Sequence, residues 1–198
     1  MTETHASLTR KRLTTPRAAA IAWLETNGRT ISLALNLVPF AGIAFLWFIG
    51  VIRDRLEDLE DRLFATVFLG SGLLFMALTF VGAALAGGLL SSYIVASSAL
   101  VESGVYTYSR AVMNQIINVY AMRMAGVFMI SLGTIWLRTG LMHRGWALLT
   151  YALALVLLLS ISYSLWVTMI FPIWVLAVSV YILILNLRHP SQESLGEI

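Results

Sequence analysis

Three stretches of this chain, residues 30–52, 63–101 and 145–187, contain no Asp, Glu, Lys or Arg. About 20 apolar helical residues, rising 1.5 Å each, cross a hydrocarbon core of ~30 Å. Charge-free runs of 23, 39 and 43 residues are therefore transmembrane candidates, and the two longer ones exceed a single crossing. Composition agrees with this reading. The 198 residues are 59% hydrophobic and 12% charged, against roughly 25% charged in a soluble domain, and the mean hydropathy is +0.85. The expected fold is an all-α integral membrane bundle with about five transmembrane helices.

The first span is placed at residues 31–52, with Asn36 and Pro39 in its first half. Proline is tolerated in membrane helices when neighbours satisfy the freed carbonyl, so Pro39 is expected to kink this helix, not end it. The second span is placed at 63–89, closing near Gly87, Gly88 and the serines at 91 and 92. Its "GAALAGG" (82–88) sets small residues four apart, which lets helix backbones approach closely. The Ser- and Tyr-rich stretch 90–109, which includes Glu102, reads as interfacial, because tyrosine favours the headgroup level. A third span over 110–137, a loop at 138–144, a fourth span over 146–162 and a fifth over 165–187 complete the count. The domain organisation is then a basic N-terminal membrane-surface segment (1–30), a five-helix transmembrane domain (31–187) and a polar C-terminal tail (188–198).

Five of the 13 basic residues (Arg10, Lys11, Arg12, Arg17, Arg29) precede the first span, as a membrane-surface segment would have them. The apolar patch at 18–24 is followed by Glu25, Asn27 and Arg29 before the long span begins, so the N-terminus reads as an uncleaved anchor. Five crossings put seven basic residues on the N-terminal side and six on the other. The density of the N-terminal cluster tips the orientation toward a cytoplasmic N-terminus.

The blocks "LVPFAGIAFLWFIGVIRDRLEDLEDRLFATVFLGSGLLF", "NVYAMRMAGVFMISLGTIWLRTGLMHRGWALLTYALALVLLL" and "FPIWVLAVSVYIL" resemble a family of uncharacterised small bacterial multi-pass membrane proteins. The resemblance covers most of residues 37–183. It implies a bacterial plasma (inner) membrane and about five helices, and it brings no activity with it. The family pattern has proline where this chain has His143.

Eight of the ten residues at 53–62 are charged. Five carboxylates on a short connection could bind a divalent cation or line the mouth of a cation path. Three interleaved arginines compensate most of that charge, however, and no calcium-loop spacing is present. A solvated helical turn with its leucines at the interface is the favoured reading.

Arg123 is the most informative polar residue. If its helix crosses over 110–137, it lies near mid-membrane, where insertion costs roughly 2.5–3.5 kcal/mol and calls for a partner, a cavity or snorkelling. Arg110, Asn114 and Asn118 form one stripe at i, i+4 and i+8. Arg123, about 140° beyond Asn118 on a regular helix, does not extend it. The candidate counter-charges are Glu102 or, if the opposite loop dips inward, one of its acids. These five residues, Arg123, Arg110, Asn114, Asn118 and Glu102, make up the candidate intramembrane polar site. The alternative is a polar half-helix at the interface, with the crossing beginning near Tyr120 and Arg123 snorkelling to the headgroups.

His5, His143 and His189 are unpaired at ligand spacing, and the chain has no cysteine. Metal, haem and thiolate chemistry are therefore not expected, nor is any cofactor, and catalytic motifs are not found. The expected partners are the lipid bilayer and a second copy or another membrane protein, not nucleic acid or a known small-molecule ligand. The function expected is that of a non-enzymatic structural, accessory or interaction subunit. The alternative is a small channel or transporter using Arg123 and the Arg110/Asn114/Asn118 cluster.

Overall fold

The computed structural model describes residues 16–54, 62–102, 104–140, 143–159 and 165–188. Among them every residue except Gly104, Gly140 and His143 is helical, and the fold is an all-α bundle. In chain order the elements are α1 (Pro16–Asp54), α2 (Arg62–Glu102), α3 (Val105–Gln115), a π-helical turn (Ile116–Ala121), α4 (Met122–Thr139), α5 (Arg144–Leu159) and α6 (Leu165–Arg188). The α3, π and α4 segments run on without a break. Four stretches are long and apolar enough to cross a membrane: Thr26–Asp54, Leu63–Ser92, Val105–Thr139 and Trp166–Ile184. Arg144–Leu159 is a shorter apolar helix.

Helix ends differ from the charge-based boundaries. Helix α1 starts at Pro16, not residue 31, and runs through Glu25, Asn27 and Arg29. Proline suits the first helical position, and the alanines that follow are strong helix formers. Charge marks where water begins, and that is not where a helix must stop. Pro39 lies inside α1 without ending it. Helix α2 likewise passes the glycines at 87 and 88 and continues to Glu102, so the stretch 90–102 is helical. The break comes at Gly104, whose φ of 72° is open to glycine and strained for other residues. Gly140 (φ 66°) ends α4 in the same way. Its N–H donates to the Trp136 carbonyl at 3.0 Å, the single-bond left-handed cap.

Hydroxyl side chains inside these helices are satisfied locally. Ser71, Thr79, Ser131, Thr134 and Thr139 each donate to the carbonyl four residues earlier, which lets polar residues sit in apolar helices without an unpaired group.

The described residues divide into two compact units. The first falls within Met1–Leu46 and Leu73–Ala121. Here α1 and α2 meet through Gly42, which lies against Phe80 and Met76, and through the edge-on ring pair Phe45–Phe75 at 5.6 Å. Gly82 of the "GAALAGG" stretch packs on Ile117 of the π turn, where a Cβ would come within 2.6 Å of the isoleucine side chain. The close approach expected of that stretch thus has a named partner. Gly88 faces open space.

The second unit falls within Trp47–Gly72 and Met122–Ile198. Its centre is the fully buried Phe128. That ring stacks on Phe68 at 4.6 Å and meets Phe171 and Trp174 edge-on at 6.0 and 6.3 Å. Trp136 lies 6.0 Å from Trp174. Helix α4 reaches α5 through Gly126, where a Cβ would sit 3.2 Å from the Ala154 carbonyl oxygen. In lipid, helices gain little from hydrophobic burial, so this contact surface and interhelical hydrogen bonds hold the unit together.

Candidate intramembrane polar site

Gly104 turns the chain from α2 into α3, and α3 carries Arg110 and Asn114. Asn118 lies in the π turn and Arg123 is the second residue of α4. In the first unit Arg110 is exposed, while Asn114 and Asn118 are half-buried and Asn118 has a polar or electrostatic partner. In the second unit Arg123 is exposed, whereas Met122, Ala125, Gly126 and Met129 are buried. The offset of about 140° between Asn118 and Arg123 assumed a regular α-helix. A π turn bonds i to i+5 and adds a residue to the ring, so that angle does not hold across residues 116–121. Exposure distinguishes the residues instead: the amides of Asn114 and Asn118 are half-buried, and the Arg123 guanidinium is exposed. The side chain of Glu102 lies outside the described residues.

Length bears on the depth of Arg123. Val105–Thr139 holds 35 residues, about 52 Å of helix, far more than a hydrocarbon core of ~30 Å. The run cannot lie wholly inside the core. Within α4, Arg123 and Arg138 are both exposed and stand about 22 Å apart along the axis. The Arg138 guanidinium lies 4.6 Å from the centroid of the Phe64 ring at the start of α2, a cation–π contact that ties one end of α4 to its neighbour.

Two interhelical hydrogen bonds in the second unit escape sequence reasoning. Trp174 Nε1 donates to Thr150 Oγ1 at 3.0 Å in a buried setting, joining α6 to α5. Thr134 Oγ1 and Tyr151 Oη are 2.6 Å apart, joining α4 to α5. Nothing in spacing pairs residues 17 or 24 apart on different helices. His143 has a local role. Its Nδ1 accepts the Gly145 N–H at 3.1 Å and its carbonyl accepts the Trp146 N–H at 2.9 Å, capping α5 with a side-chain acceptor.

A further polar face lies on α1. Arg29, Ser32 and Asn36 line a shallow groove of about 380 Å³ with Leu33, Leu37 and Phe40, and the Asn36 amide donates to the Ser32 carbonyl at 3.0 Å. A second cleft, of about 290 Å³, is lined by the apolar residues Leu35, Val38, Pro39, Phe80, Ala83 and Ala84. Of the acidic connection, Arg53 and Asp54 are exposed at the end of α1 and Arg62 opens α2; residues 55–61 lie outside the described residues, as do His5, His189 and residues 160–164. Among the described residues no group of three or more His, Asp or Glu side chains could hold a metal ion. The chain matches no protein-family model, no curated protein and no solved structure.

Proposed function

We propose that this chain is a non-enzymatic integral membrane protein whose packed helices are its working part, a structural, accessory or interaction subunit of a bacterial plasma (inner) membrane with its N-terminus on the cytoplasmic side. The observation that carries the reading is the exposure of Arg123 on the surface of α4, on a helix whose other face is closed by Met122, Ala125, Gly126 and Met129. With Arg138 at one membrane boundary, an arginine about 22 Å along the axis falls ~8 Å short of the other face of a ~30 Å core. An extended side chain covers most of that gap by snorkelling, so the charge has no need of a pore. Tyr120, three residues earlier and 52% exposed, suits the same headgroup level. Trp166, 84% exposed at the start of α6, does so too.

The second reading, a small channel or transporter, draws on the π turn at Ile116–Ala121, since such turns are frequent at functional sites. It would need several copies to enclose the exposed Arg123. Replacing Arg123 with alanine separates the two. On the accessory-subunit reading, ion and solute flux in reconstituted vesicles stays at background for wild type and Arg123→Ala alike, and the variant assembles normally. Measurable wild-type flux that the substitution abolishes, with the protein still folded, would establish the channel.

A further inference from the structure

The groove on α1 runs with the depth of the membrane. The apolar stretch Thr26–Asp54 has 29 residues, about 43 Å of helix, close to the ~40–45 Å of a bilayer with its headgroup layers. Arg29 is in the first turn of that stretch, at headgroup depth. Ser32 and Asn36 follow one and two turns further in, and Leu33, Leu37 and Phe40 complete the same face. From Arg29 to Phe40 the helix advances about 16 Å, which is half of a ~30 Å core, or one leaflet. Polarity falls with depth in the order of a phospholipid: a cation at the phosphate level, a hydroxyl and an amide at the ester level, and aliphatic and aromatic surface at the acyl level. The Asn36 amide donates one N–H to the Ser32 carbonyl, and its second N–H remains as a donor for an ester carbonyl. All six residues are exposed, and Leu33, Leu37 and Phe40 are among the large exposed apolar residues of the protein.

We infer that this face of α1 is a binding seat for one anionic glycerophospholipid, its phosphate held by Arg29 and one acyl chain laid along Leu33, Leu37 and Phe40. Charge complementarity selects an anionic lipid over a zwitterionic one, because the described part of the groove supplies a cation and no carboxylate. The seat is independent of which role the protein performs and rests only on its crossing a membrane.

The test uses the full chain in nanodiscs of phosphatidylcholine containing one-fifth phosphatidylglycerol, with retained lipids counted by native mass spectrometry as they are stripped away. Wild type should retain phosphatidylglycerol above its share of the mixture. Arg29→Gln should reduce that enrichment about fivefold, the worth of one basic side chain at an anionic surface, while Arg29→Lys keeps most of it. Phe40→Ala should lower retention of both lipids together. Adding 10 mM inorganic phosphate should leave the lipid in place. The proposal is overturned if wild type shows no preference for phosphatidylglycerol, a comparison that needs no variant. It is equally overturned if Arg53→Gln reduces the enrichment as much as Arg29→Gln, if free phosphate displaces the lipid, or if substitution on this face changes the number of protein copies per particle instead of the lipid count.

Discussion

Trp174 shows how much of this protein's cohesion is carried by single polar contacts. Its indole N–H is buried and donates to Thr150, while its ring lies against Phe128, Trp136 and Phe171. Removing the indole therefore removes both packing and a hydrogen bond, and a single substitution cannot divide them. A double-mutant cycle of Trp174→Phe with Thr150→Val can. Interhelical hydrogen bonds inside membranes average ≈ 0.6 kcal/mol in such cycles and reach ≈ 1.7. The coupling here is expected near the upper end, about 1.5 kcal/mol, because both partners are buried on facing helices. Unfolding in mixed micelles at increasing denaturing detergent measures it. A coupling near zero would mean that the Thr150 hydroxyl is equally satisfied by its own helix and that ring packing alone holds α6 to α5.

At the scale of elements, glycine position decides which helix faces are contacts. Gly126 and Gly88 look alike in sequence, each a small residue in an apolar helix, yet their surroundings are opposite. A Cβ on Gly126 would meet Leu158 at 2.9 Å and the Ala154 backbone oxygen at 3.2 Å, and backbone cannot rotate out of the way; a Cβ on Gly88 meets nothing within 4 Å. Gly126→Ala should force α4 and α5 apart and cost about 1–3 kcal/mol, the usual penalty of overpacking. Gly88→Ala should be neutral or slightly stabilising, since alanine is the better helix former. Thermal unfolding in one detergent compares the two, and equal costs would show that the α4–α5 approach is not limiting. The same pair explains what the sequence could reveal. The number and approximate centres of the apolar helices follow from charge-free runs, because removing water from a charge is costly wherever the helix goes. Helix ends do not follow. Residues 16–30 and 90–102 are helical because alanine, leucine and serine permit it, and no energetic term ties the end of a helix to the end of the oil. Nor does the candidate site follow. Whether Arg123 faces inward or outward depends on the π turn at Ile116–Ala121, and one extra residue in a turn leaves no trace in composition or spacing. The α1 groove was legible in principle, since Arg29, Leu33, Leu37 and Phe40 recur at helical spacing, but the intervening membrane-surface assignment cut it in two at residue 30.

For the molecule as a whole the open quantity is where the bilayer lies along helices of unequal length. Helix α2, with 41 residues, extends about 61 Å and α5, with 16, about 24 Å. No single slab of ~30 Å fits both end to end, so long helices must tilt or project into water. The chain contains no cysteine, so single cysteines can be introduced into an otherwise silent background and read with a membrane-impermeant maleimide. Along the third helical run, Thr107 and Ala111 are exposed, Val127 and Ile130 are half-buried, and Arg144 is exposed at the start of α5. If the hydrocarbon begins near Tyr120, cysteines at 107 and 111 label from one side of intact vesicles, those at 127 and 130 are protected, and that at 144 labels only from the other side. Inverting the vesicles should exchange the first and last responses and leave the middle pair protected. A different outcome has a definite meaning: protection already at 107 and 111, with labelling resumed near 130, would place α3 in the hydrocarbon and Arg123 close to its centre. The cost of an exposed arginine at that depth would then demand a partner from another copy of the chain, and the accessory reading would give way to an assembled pore.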